Sequence, residues 1–140
     1  MFFLLLRSRR AAAAGVAKNF RHPNVATARH NLAKVLLLQD RAAEALPLVE
    51  QAWARRQRDD VLPDLRASTS FLLARVLWKA RKDAATRARA RGLAEAAIEG
   101  FAGAGKEEAA RDVRAWMERP ATWVPRRPAG ASPPAGGAKR

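Results

Sequence analysis

Apolar and small residues recur three or four apart on both sides of one polar break: Val25, Ala28, Leu32, Val35 and Leu36 before it, Ala45, Leu48, Val49 and Ala52 after it. That is the period of a helix, so the pattern predicts two helices folded back on each other across a turn at Gln39-Asp40-Arg41. A helical hairpin buries one stripe against its partner and leaves a second flank that needs a neighbour, which predicts a stack. The next segment, Leu65 to Lys79, carries Phe71, Leu72, Leu73, Ala74, Val76, Leu77 and Trp78. This arc is wider than the first helix's and predicts the most buried element. Leu73-Ala74 follows Leu32-Ala33 by 41 residues, and Ala90 and Ala97 are seven apart as Ala45 and Ala52 are, so a second hairpin repeats the first. The second is looser: Ala33 to Ala45 is twelve residues and Ala74 to Ala90 sixteen, the extra four being assigned to a longer basic turn over Arg81 to Arg87.

Start and stop signals refine these elements. Asn24, after Pro23, is a suitable N-cap for the first helix, and Asp64 for the third. Pro47 lies inside the second helix, where it removes a backbone donor at a cost of about 3 kcal/mol, so that helix is expected to bend there or to start late. The fourth helix places Ala90, Leu93, Ala94, Ala97, Ile98 and Phe101 on one face and is expected to stop in the stretch from Gly100 to Gly105. Lys106 to Arg119 gathers Ala109, Ala110, Val113, Trp116 and Met117 on one side, the pattern of a terminal capping helix. Beyond Pro120 the Pro, Ala and Gly content describes a disordered basic tail, residues 120–140, in which Trp123 is the one residue able to fold back or dock elsewhere.

The spacing Asn31-Leu32-Ala33, Ala45, Ala52 resembles the tetratricopeptide repeat, in which small side chains let paired helices approach closely. His22-Pro23-Asn24-Val25-Ala26 and Glu44-Ala45-Leu46-Pro47-Leu48 look like the longer repeats of kinesin light chains and of many bacterial proteins. FLLARVLW followed by RAWMER is similar to the C-terminal repeats of bacterial multidomain serine/threonine kinases. No kinase motif is present in the chain. The resemblance covers about residues 22–119 and implies an all-α fold, a right-handed stack of two tetratricopeptide-like helical hairpins plus a C-terminal capping helix. An irregular basic segment, 1–21, would precede it. It also implies that the first helix of each hairpin lines a concave groove, with His30, Asn31, Lys34 and Leu37 from one repeat and Phe71, Arg75, Trp78 and Lys79 from the next. Asn31 falls where carboxylate-clamp members of the family carry an Asn that holds a peptide, whereas the second repeat has Leu72 there. The implied function is binding a peptide segment of a protein partner, acidic if Lys34, Arg75 and Lys79 select it. The other reading of these residues is that Trp78 is core and the cations are a solvated face.

Charge changes the picture less than its sum suggests. The 140 residues carry a net +14, but 1–39 hold seven Lys/Arg and no acid, 40–118 fifteen against thirteen, and 119–140 five against none. The packed part is nearly neutral. Arg outnumbers Lys 21 to 6 and Ala, Gly and Pro abound, as a gene rich in G and C would encode whatever the partner. The cluster Arg81, Lys82, Arg87, Arg89, Arg91 supports at most weak, salt-sensitive nucleic-acid contact, because no recognition helix, zinc ligand set or stacking platform accompanies it. A small basic nucleic-acid accessory protein is therefore the competing reading.

No catalytic or cofactor site is expected. The chain has no Cys, which excludes disulfides and thiolate metal sites and is compatible with a reducing, cytoplasmic location. GFAGAGK, Gly100 to Lys106, matches the first seven positions of a phosphate loop, but Glu107 stands where Ser/Thr should bind Mg²⁺ and the preceding segment is helical. Met1 to Leu6 is too short to span a membrane. Its charge follows the apolar run instead of preceding it, unlike a secretory signal, and it is compatible with an organelle presequence, an irregular start or the remnant of an upstream repeat. With two repeats and a cap at one end only, the flank of the first hairpin around Leu36 and Val49 is expected to be open to a partner, to the Phe2 to Leu6 run or to a second copy of the chain.

Overall fold

The computed structural model describes residues 23–126, which form five helices: α1 (Pro23–Leu38), α2 (Ala42–Arg56), α3 (Pro63–Ala80), α4 (Ala84–Gly103) and α5 (Glu107–Glu118). No strand occurs among the described residues, so the architecture is all-α. Each helix packs on the next in the chain, and α1 also touches α3. Residues 1–22 and 127–140 lie outside the described part, and with them the expectations for the N-terminal segment and most of the tail. No helix among the described residues is long and apolar enough to cross a membrane.

Small residues set the packing. Ala33, Ala45, Ala52, Ala74, Ala90 and Ala97, the positions that defined the repeat spacing, are all 0 % exposed. A methyl group in these places lets two helix backbones approach closely while leaving no void, and Val49, Leu73, Val76 and Val113 fill the layers between. The wide apolar arc of α3 is central as expected, with Leu72, Leu73, Ala74, Val76 and Leu77 buried between α2 and α4. Gly100 extends the same logic. A Cβ built there would lie 2.9 Å from the Ala67 Cβ and 3.4 Å from the Pro63 carbonyl oxygen, so glycine permits the close crossing of α3 and α4.

On α1 the buried set is Ala26, Ala33, Leu36 and Leu37, whereas Leu32 and Val35 of the expected stripe are 50 % and 48 % exposed. The helix is thus turned from the orientation predicted. Leu36 and Val49, expected near an open flank, are in the core.

Helix ends differ from expectation in instructive ways. Helix α1 is described from Pro23 onward, so Asn24 lies inside the helix and not at its cap. At the other end the Arg41 N–H donates to the Leu36 carbonyl (2.8 Å) and the Asp40 N–H to that of Leu37 (3.1 Å), with Asp40 at φ 60°. This is a Schellman cap with Asp in the left-handed position that usually takes Gly. The same pair of bonds closes α4, from Lys106 N–H to Phe101 (2.8 Å) and Gly105 N–H to Ala102 (3.1 Å), with Gly105 at φ 74°. Gly100 of GFAGAGK thus packs α4 and Gly105 caps it. Helix α2 runs through Pro47, which is exposed, without a late start. Asp64 accepts from the Leu65 N–H (3.0 Å) within the first turn of α3, behind Leu62 as cap.

The expected long basic turn is short. Only Arg81-Lys82-Asp83 separates α3 from α4, because Asp83 accepts from the Thr86 N–H (2.9 Å) and starts the helix at Ala84. The extra residues lengthen α4 by about one turn.

Candidate functional site

Helices α1, α3 and α5 contribute to a groove, and the segment after α5 lies across it. Helix α5 ends because Pro120 has no N–H to continue it and disfavours helical backbone in Arg119, which sits at φ −141°, ψ 69°. The Thr122 and Trp123 N–H groups then donate to the Arg119 carbonyl (3.2 and 3.0 Å), and this turn directs the chain back toward α3. Trp123 is half-buried and meets the ring of Phe71 edge-on at 5.4 Å and 70°. The Arg75 guanidinium lies 4.9 Å from the Trp123 centroid and 5.6 Å from that of Phe71. Of the expected tail, residues 120–126 are described, and there Trp123, the one residue expected to be able to fold back, packs on α3 while Arg126 pairs with α5.

Trp123 divides the groove. On one side a cavity of about 190 Å³ is bounded by His30, Lys34, Phe71, Arg75, Asp112 and Arg126. On the other, one of about 200 Å³ is bounded by Leu38, Arg75, Lys79, Trp116 and Val124. Of the residues the sequence singled out, His30, Lys34 and Arg75 thus share the first cavity, and Arg75 and Lys79 the second. Asn31 is exposed and lines neither. Trp78 lines neither as well. It packs edge-on against Trp116 at 5.8 Å and lies under Arg87 (4.3 Å) and Arg91 (5.5 Å) of α4.

The charges here are mixed. Lys79 is 3.8 Å from Asp40. Burial pushes Arg75 down to about 10, which leaves it protonated at neutral pH beside the rings of Phe71 and Trp123. Arg126 pairs with Asp112 at 2.9 Å and lies 3.9 Å from Glu108. These two carboxylates, four apart on one face of α5, are the functional candidates that sequence reading missed, along with Trp123 and Arg126. The only signal for them was Trp123 itself, a large aromatic in an otherwise small-residue tail.

Beneath the groove a buried polar network joins α1, α2 and α3. Arg56, 5 % exposed, donates from Nη1 to Thr69 Oγ1 (2.7 Å) and from Nη2 to Thr27 Oγ1 (2.9 Å). Thr69 spends its single hydroxyl hydrogen on the Leu65 carbonyl (3.1 Å). His30 Nδ1 lies 3.1 Å from the same Thr69 Oγ1 and shares a hydrogen bond with it. Burial first, then the charges of Arg56 and Lys34, hold His30 down to about 4, so the ring is neutral at pH 7.

The basic cluster does not form one array. Arg89 makes two bonds to Glu50 (2.6 and 3.1 Å) and is held charged above its usual value by that carboxylate. Arg87 and Arg91 cover Trp78, and Arg81 and Lys82 are left in the turn.

No protein-family model matches the chain, and no curated protein and no solved structure matches it.

Proposed function

We propose that this protein is an interaction module, a right-handed stack of two tetratricopeptide-like hairpins and a capping helix, whose groove takes a non-helical peptide segment of a protein partner. It acts by binding and not by catalysis. The observation that carries the reading is residues 120–126: polypeptide with neither helix nor strand lies across α1, α3 and α5, anchored by one aromatic ring and one ion pair, beside two further cavities. The burial of Ala33, Ala45, Ala52, Ala74, Ala90 and Ala97 at repeat spacing supports the hairpin stack. An acidic ligand has less support than the sequence suggested, because Asp112 and Glu108 border the same groove as Lys34 and Arg75.

The test is selection of binders from a random peptide library on the full-length chain, with affinities then measured for the Lys34→Glu, Lys79→Glu double variant. Both side chains are exposed, so helical circular dichroism should not change while affinity shifts about fivefold or more. Unchanged affinity for every selected peptide would place binding elsewhere. The competing reading, a basic nucleic-acid accessory protein, requires affinity for duplex DNA that falls steeply with salt, and absence of any selected peptide.

A further inference from the structure

Two anchors three residues apart hold the segment after α5. The first is Trp123, in a T-shaped contact with Phe71 and with its face toward Arg75. The second is Arg126, whose guanidinium reaches Asp112 and Glu108 on one face of α5. Val124 between them is 77 % exposed, so that position imposes no side-chain requirement. Each anchor is complementary to what receives it. A cation over a ring face suits an indole better than other side chains, and a pair of carboxylates suits a guanidinium. Both contacts are also weak individually, because Trp123 is only half-buried and the Arg126 ion pair is exposed to solvent.

We propose that residues 120–126 occupy the groove as a built-in ligand, and that the groove's external partner is a peptide segment presenting Trp followed three residues later by Arg, which binds by displacing them. This rests on the reading of the groove as a peptide-binding face. Tethering to Arg119 through the three residues before Trp123 gives the internal segment an effective concentration in the millimolar range. A partner therefore has to exceed that concentration or reach additional contacts, and the cavities on either side of Trp123 supply room for them.

The probe is a labelled peptide of residues 120–126, PATWVPR, titrated by fluorescence anisotropy against the full-length chain and the full-length Trp123→Ala, Arg126→Glu variant. With its own segment released, the variant should bind the peptide about tenfold or more tightly than the parent chain. Peptides carrying Trp123→Ala or Arg126→Glu should each lose most of that affinity. Equal binding to both chains, or undiminished binding of the altered peptides, overturns the proposal, and tighter binding of the Arg126→Glu peptide would make the groove a site for acidic segments. If the variant loses its helical dichroism, the parent chain carries the test. Millimolar PATWVPR should then move the Trp123 indole N–H resonance toward its free position, and an unmoved resonance overturns the proposal. If PATWVPR fails while library peptides bind the groove, the built-in ligand is wrong and the peptide-binding reading stands. If no peptide of any kind binds, both are wrong.

Discussion

Replacing Thr69 by Val tests the buried network with almost no change in side-chain volume. It removes the one oxygen that receives Arg56 Nη1 at 2.7 Å and lies 3.1 Å from His30 Nδ1. Arg56 is 5 % exposed and retains its bond to Thr27, so the variant leaves a buried guanidinium short of one charge-assisted hydrogen bond. A bond to a charged group contributes about 1.5–3 kcal/mol, and His30 Nδ1, left without its partner but half-open to water, adds about 1 kcal/mol. The expected loss is about 2–4 kcal/mol. Arg56→Met removes the charge and keeps most of the apolar stem, so Thr69→Val in that background should cost only about 1 kcal/mol. Urea denaturation of the four chains, followed by helical circular dichroism, gives the coupling between the two sites, expected at about 1.5 kcal/mol or more. A Thr69→Val cost below about 0.5 kcal/mol, or the same cost with and without Arg56, would refute the claim that this threonine neutralises the burial of the arginine.

Acid should destabilise the protein through His30. Its folded-state value of about 4 lies below the ordinary 6.5, so the unfolded chain takes up the proton first and stability falls as pH drops from about 6.5 toward 4. Partial exposure reduces the loss to about 1–2 kcal/mol, and His30→Gln should flatten the profile between pH 6.5 and 5, as measured by urea midpoints. Gly92→Ala, with open space around it in α4, should stabilise by about 0.5–1 kcal/mol, whereas Gly100→Ala, facing the Ala67 Cβ at 2.9 Å, should destabilise by about 1–3 kcal/mol; equal effects in thermal melts would refute the close crossing. Trp123→Ala should cost about 1–2 kcal/mol from its ring and cation contacts, and an unchanged melting temperature would mean that the segment is not held.

Much of the helical architecture was legible because close packing leaves a mark in the sequence. Only a very small side chain tolerates a near helix crossing, so alanines at fixed spacing carry register even where the large residues vary. What was not legible depended on tertiary or backbone chemistry. Asp40 in a left-handed cap gives no Gly signal for the end of α1. Asp83 looked like one charge in a basic run until its cap on Thr86 shortened the turn. Trp123 and Arg126 are read as tail by composition, because their partners Phe71, Arg75, Glu108 and Asp112 are distant in sequence. The groove was therefore half visible. Its α1 and α3 cations could be named in advance, whereas the carboxylates on α5 looked like the solvated side of a capping helix.

Helix α1 shows why periodicity alone can select the wrong face. A helix can carry two apolar stripes: one meets its neighbours and one does not, and both recur three or four apart. Val25, Ala28, Leu32 and Val35 form the stripe with the larger side chains, and a reading weighted by hydrophobicity prefers it. Ala26, Ala33 and Leu37 form the stripe that packs, because the contact with α2 requires near approach and so selects alanine. Leu36 belongs to the packed side, at 8 % exposed, although it continues the other stripe in sequence. The two stripes are distinguished by residue size rather than by period. Leu36→Ser and Val49→Ser would therefore place hydroxyls in the core and measure stability, while Leu32 and Val35, each about half exposed, are the positions whose substitution reports on the exposed face of α1.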